Sequence, residues 1–335
     1  MIFKNIHYLI LALIFIIILM GILSLATGHL AISPSELVKT ALGEGSRRNE
    51  LLLFEFRLPR LFIAILAGAA LGVAGTLLQG ITQNELADPG ILGINAGAGL
   101  SVVLYLTYVS NRETTSPLGQ MMTLPFAAFL GGLLAACCIY IVAWKNGVTP
   151  IRLILVGIGV NAGFGAVLTL FQLRMNQSAF NQVTVWLSGS IWNAHWSAVI
   201  SLLPWVFILI PLSLYKSRTL NLLQLGDEMA TGLGINTERE RIKLVAIAVA
   251  LTGASVSVAG GISFLGLGAP HIARKLVGNK HQRLVPTAAC IGALILLISD
   301  MIARNLFAPS ELPVGLIVAF LGAPYFIYLL ITTEA

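Results

Sequence analysis

Residues 57–82 read RLPRLFIAILAGAALGVAGTLLQGIT. Two arginines, Arg57 and Arg60, flank a proline at the start, and the stretch from 61 to 80 is then apolar or small but for Gln79 and carries no charge. A helix needs about 20 such residues to cross the hydrocarbon core of a bilayer, and Gly and Ala at this density let a neighbouring helix approach closely. The stretch therefore reads as a transmembrane helix with arginines at its edge.

The same pattern recurs along the chain. Ten apolar spans lie near 6–27, 61–80, 91–109, 121–144, 151–173, 197–215, 242–259, 261–277, 285–303 and 313–332, the third and eighth being short or interrupted by Gly and Pro. The first, beginning MIFKNIHYLILALIF, imitates a secretory signal. Its apolar run of about 20 residues exceeds the roughly 7–15 of a cleaved signal, so it counts as the first span. The chain is 57% hydrophobic and only 10% charged, against about 25% charged in a soluble domain. All 335 residues thus form one all-α integral membrane domain, 1–335, with no separate soluble module. A net charge of +6 would suggest nucleic acid in a soluble protein. Here the basic residues stand singly between spans, as in cytoplasmic loops.

Their distribution sets the orientation. With the N-terminus inside, Lys39, Arg47, Arg48, Arg57, Arg60, Arg112, Arg174 and Arg304 fall outside; the other twelve, from Lys4 to Arg283, fall inside. The excess of Lys and Arg marks the cytoplasmic side and puts both termini there. Arg57, Arg60 and Arg304 at span edges on the outer face run against that bias, and they point to docking of an acidic partner outside the cell.

Gly68-Ala-Ala-Leu-Gly-Val-Ala-Gly75 in the second span matches Gly253-Ala-Ser-Val-Ser-Val-Ala-Gly260 in the seventh at five of eight positions. The two spans run in opposite directions, which is the signature of an inverted repeat. Two unrelated small-residue packing faces would also match in this way.

Two connections carry more than chain. Residues 216–241 are the longest cytoplasmic segment, and within them LGDEMATGLGI predicts a short helix. Asp227 and Glu228 favour its start, and Gly232 and Gly234 its end. Leu225, Met229 and Leu233 recur at i, i+4, i+8, an apolar stripe that wants a groove. Outside, residues 174–196 hold three of the five tryptophans, as an interfacial belt would.

Catalytic chemistry is absent. No GxxxxGK[ST] loop, no HExxH and no metal-ligand spacing occurs, and Cys137, Cys138 and Cys290 lie within apolar spans. His271 reads as a packing or interfacial residue. Asp300 alone places a carboxylate inside a secure span, and Arg304 follows it at i+4, the spacing of a local ion pair. An isolated intramembrane acid also suggests an ion-coupled secondary carrier using Asp300. A permease driven from outside the chain needs no such group.

The stretches 57–99, 260–286 and 299–326, together with LGDEMATGLGI, resemble the permease subunits of the iron-siderophore, haem and vitamin B12 ABC importers (type II), over nearly the whole chain. The resemblance implies ten transmembrane helices, with helices 2–5 and 7–10 as the repeat. It implies a second permease subunit, identical or homologous, around a central pathway, two cytoplasmic ATPase subunits and an extracytoplasmic substrate-binding protein. The chain itself would bind no cofactor and hydrolyse nothing; ATP-Mg would sit on the ATPase subunits, and the location would be the bacterial cytoplasmic membrane. Arg57, Arg60 and Arg304 would dock the binding protein. Leu225, Gly226, Asp227, Glu228, Met229, Ala230, Leu233 and Gly234 would form the coupling helix. Asn84, Leu86 and Thr149 would form the cytoplasmic gate, with Glu85 standing where many relatives have proline. The fifth span, with Val160, Asn161 and Phe164, would line the pathway. Ferric siderophore is the expected cargo, with haem and cobalamin behind it.

Overall fold

The computed structural model of the chain describes residues 6–28, 30, 32–108, 117–145 and 149–332. Lys4 and Arg112, both used in the charge count, lie outside them. The described residues form helices and no strand. In order these are α1 (Ile6–Ala26), α2 (Pro34–Ala41), α3 (Arg47–Glu50), a π-helical turn (Leu51–Arg57), α4 (Leu58–Thr82), a 3-10 turn (Pro89–Leu92), α5 (Ile94–Tyr108), α6 (Pro117–Ala143), α7 (Pro150–Gln172) and α8 (Gln177–Leu187). There follow α9 (Trp196–Tyr215), α10 (Ser217–Leu223), α11 (Asp227–Gly232), α12 (Thr237–Ala259), α13 (Leu265–Val277), α14 (His281–Asn305) and α15 (Val314–Thr332).

Each of the ten apolar stretches contains a helix among its described residues, the eighth only from Leu265 onward. Seven helices among the described residues are long and apolar enough to cross a membrane; α5 and residues 314–327 of α15 are shorter apolar helices, and α13 has 13 residues. The chain is an integral membrane protein on this evidence. Helix bounds depart from the sequence reading where caps decide them. The charged run TERER belongs to α12 because the Asn236 side chain accepts from Arg239 N at 3.0 Å. α2, which the span count passes over, starts at a reciprocal cap: Ser33 Oγ accepts from Glu36 N, and Glu36 Oε2 accepts from Ser33 N.

α4 and α12 form the centre. In their apolar windows 78% and 72% of residues are buried, against 17% in α7 and 22% in α1. The small residues of 57–82 explain α4's place. A Cβ at Gly68 would meet the backbone of Gly292, one at Gly72 the carbonyl of Ala288, and one at Gly75 the carbonyl of Gly266. Glycine there lets α14 and α13 close onto α4.

The sequence echo has a structural counterpart. With α4, α5, α6 and α7 matched to α12, α13, α14 and α15, the packing pairs repeat: α4–α14 matches α12–α6, and α4–α13 matches α12–α5. Likewise α5–α6, α5–α7 and α6–α7 match α13–α14, α13–α15 and α14–α15. Two unrelated packing faces would not reproduce one another's neighbours, so the repeat reading prevails over the packing-face alternative.

Candidate functional site

α4 holds two clusters apart. Arg57 and Arg60 stand at its start, and Gln83, just past its end, donates to Leu223 O at 2.7 Å and so ties that end to α10 and the α11 segment. Twenty-five residues of helix separate the ends by about 37 Å.

At the arginine end the structure gathers Arg57, Arg60 and Arg304 from distant parts of the chain, as sequence reading grouped them. It also buries them: the three are 8%, 9% and 7% exposed. Arg57 donates to the carbonyls of Leu25 and Leu30. Arg60 meets Asp300 Oδ1 through Nε and Nη2, each at 2.8 Å, and Glu311 Oε2 through Nη1 at 2.7 Å. Arg304 reaches Asp300 Oδ2 from Nε at 3.2 Å and donates through Nη2 to Ser24 Oγ at 2.6 Å. All three arginines are therefore held by partners within the chain. A guanidinium among apolar helices must be paired, and this fold supplies the pairs internally. The i+4 pair of Asp300 and Arg304 is present as its spacing suggested. Glu311 and Ser24 escaped sequence reasoning because they lie 251 and 280 residues from their arginines. Only an acid following the Asp300–Arg304 pair in sequence hinted at Glu311.

At the opposite end, α11 spans Asp227–Gly232, between Gly226 and Gly234, whose φ angles of 97° and 84° suit glycine. One face is anchored: Ala230 is fully buried, and Asp227 Oδ1 pairs with Arg241 Nη2 at 2.8 Å. The other face is open, with Leu225, Met229 and Leu233 exposed at 56%, 61% and 59%. Glu228 is exposed beside them. A rigid mount carrying an uncovered apolar stripe is suited to insertion into a groove.

The segment following α4 lies near this end. Asn84 Oδ1 accepts from Leu86 N at 2.9 Å, closing a turn that leaves Leu86 exposed. Glu85, the departure noted in the sequence, reaches across to α13: its Oε2 lies 3.4 Å from Arg274 Nη1 and 3.8 Å from His271 Nδ1. Arg274 also donates to Gln79 Oε1 at 3.0 Å, and His271 packs edge-on to Tyr325. Asp88 was missed. Its Oδ1 accepts from Gly90 N at 2.8 Å, and desolvation pushes its carboxyl up to about 6. Thr149 caps α7 only through its backbone, accepting from Leu153 N at 3.0 Å.

α7 presents a broad open face. Asn161 is exposed, Val160 and Phe164 half-buried, and a Cβ at Gly159, Gly163 or Gly165 would meet nothing within 4 Å. Among the described residues of one chain, nothing packs against α7 at these three glycines. Asp300, facing two arginines, is not the free acid that an ion-coupled carrier would use.

Residues 15–332 match the FecCD transport family. The chain is 53% identical over 315 residues to the iron(3+)-hydroxamate import system permease protein FhuG of Bacillus subtilis (strain 168), covering 94% of each. It is 38% identical over 321 residues to the hemin transport system permease protein HmuU of Yersinia pestis, covering 95% of this chain and 94% of that one. A solved structure described as an inward-facing conformation of a metal-chelate type ABC transporter superposes with a TM-score of 0.85 at 27% identity, covering 97% of this chain and 99% of that one.

Proposed function

Because this chain belongs to the FecCD transport family, we propose that it is the permease subunit of an ATP-driven importer of ferric chelates, with a hydroxamate siderophore as cargo. The cargo assignment rests on the 53% identity to a hydroxamate permease along nearly the full length of both chains. The observation that carries the ATP-driven part is α11, a fixed helix offering three uncovered apolar side chains at one end of the bundle. In this reading each α11 enters a groove on a cytoplasmic ATPase subunit, which alone hydrolyses ATP-Mg. Nucleotide closes the ATPase pair, and the attached helices switch between inward- and outward-open forms as rigid bodies.

The remaining assignments follow the same axis. The arginine end faces outward and receives the binding protein, the α11 end faces the cytoplasm with both termini, and ten helices cross the cytoplasmic membrane as one domain over residues 1–335. A second permease chain supplies the other wall of the pathway along Val160, Asn161 and Phe164. Asn84, Leu86 and Thr149 gate its inner end, where Glu85 holds the gate segment to α13. With few polar anchors along α7, selectivity resides chiefly in the binding protein.

The test is uptake of radioiron-labelled ferric hydroxamate by cells lacking this chain and by cells in which it is restored. Restored uptake that unlabelled ferric hydroxamate competes away and haem does not is the expected result. Uptake of haem without ferric hydroxamate would overturn the cargo assignment.

A further inference from the structure

Docking through Arg60 meets an obstacle, because its guanidinium is already engaged on each side. Nε and Nη2 face Asp300, Nη1 faces Glu311, and the side chain is only 11% exposed. With little of the side chain exposed, the most direct route for an incoming carboxylate to Arg60 is to replace one of these two.

The two carboxylates are not equally held. Asp300 is 1% exposed, lies on α14 and also faces Arg304. Removing it from Arg60 would strand buried charge, which is strongly destabilising. Glu311 is 29% exposed and belongs to the connection between α14 and α15, where residues 306–311 are all exposed. Exchanging Glu311 for another carboxylate leaves the charge around Arg60 unchanged and disturbs little packing. The same connection displays Leu306 and Phe307, 58% and 60% exposed, which is apolar surface that a seated protein would cover.

Building on the docking role assigned to the arginine end, we infer that Glu311 is a resident carboxylate which an acidic side chain of the extracytoplasmic binding protein displaces from Arg60. Before docking, Glu311 keeps the guanidinium paired and oriented. During docking it swings outward with its connection, and Arg60 passes from an internal to an intermolecular partner. Asp300 stays in place throughout. Arg304 is then a positioning residue that fixes Asp300, while Arg57 and Arg60 are the cations a partner meets.

The experiment measures capture of the chelate-loaded binding protein of the same system by the intact transporter in nanodiscs. Glu311→Gln removes the competitor, and capture should tighten about two- to fivefold, the worth of one partly exposed ion pair. Glu311→Ala repeats the measurement in case the amide still accepts from Arg60. Glu55→Gln removes an exposed carboxylate from the same end and should change nothing. In an Arg60→Gln background the gain should vanish. Unchanged or weaker capture by both Glu311 variants, while Arg57→Gln still weakens capture, would overturn the exchange and leave docking intact. Capture indifferent to Arg57→Gln and Arg60→Gln alike, in variants that melt as the parent does, would overturn the docking role and this inference with it.

Discussion

At one end of α4 charge is buried and already paired; at the other, apolar side chains are exposed and have no partner. Arg60, Arg304 and Asp300 lie under 10% exposed in a network joining α1, α4 and α14. Leu225, Met229 and Leu233 stand more than half exposed on a helix of six residues. The charge network of the first end is complete without a partner, so a partner that reaches Arg60 must exchange contacts. The second is incomplete, so a partner there adds them. That difference predicts strong, structural effects of mutation at Asp300 and Arg304 and purely functional effects at α11.

The comparison breaks most visibly at Asp300. Asp300→Ala leaves two buried guanidinium groups without their carboxylate and should cost about 3–5 kcal/mol, seen as a large fall in melting temperature in detergent. A variant as stable as the parent would show that the network is not what joins the three helices. Next in size is Leu233→Asp. It gives up about 1.5–3 kcal/mol of apolar burial in the groove and adds a carboxylate to desolvate. The ATPase should no longer co-purify and uptake should stop, with the melting temperature of the permease unchanged. If melting falls instead, α11 is part of the core and the contrast fails.

Smaller effects sharpen the contrast. Arg57→Gln gives up donors that meet only carbonyls, so it should weaken binding-protein capture about two- to fivefold with little loss of stability. Arg304→Gln should do the reverse, lowering stability more than capture. Smallest is Asp227→Asn, which loosens the half-exposed pair to Arg241 by about 0.2–1 kcal/mol and should lower uptake modestly while the ATPase remains bound.

Much of this was legible in the sequence because it rests on local pattern. Apolar runs marked the helices, a small-residue echo marked the repeat, and the glycines and stripe of LGDEMATGLGI marked α11. Short amphipathic pieces such as α2 and α8 escaped, since eight to eleven residues raise no hydropathy signal of their own. The burial of the arginines also escaped. Span edges suggest access to water, and nothing local says that Glu311 and Ser24 arrive from the far ends of the chain to satisfy them. Glu85 was visible as a departure, but its reach to Arg274 depends on how α13 packs beside α4.

The most direct measurement is uptake by the purified transporter in liposomes. The account predicts that ferric hydroxamate enters only when the ATPase subunits and the permease are both present, ATP is supplied on the α11 side and the binding protein on the arginine side. Uptake by this chain alone, driven by an ion gradient and indifferent to ATP, would contradict it.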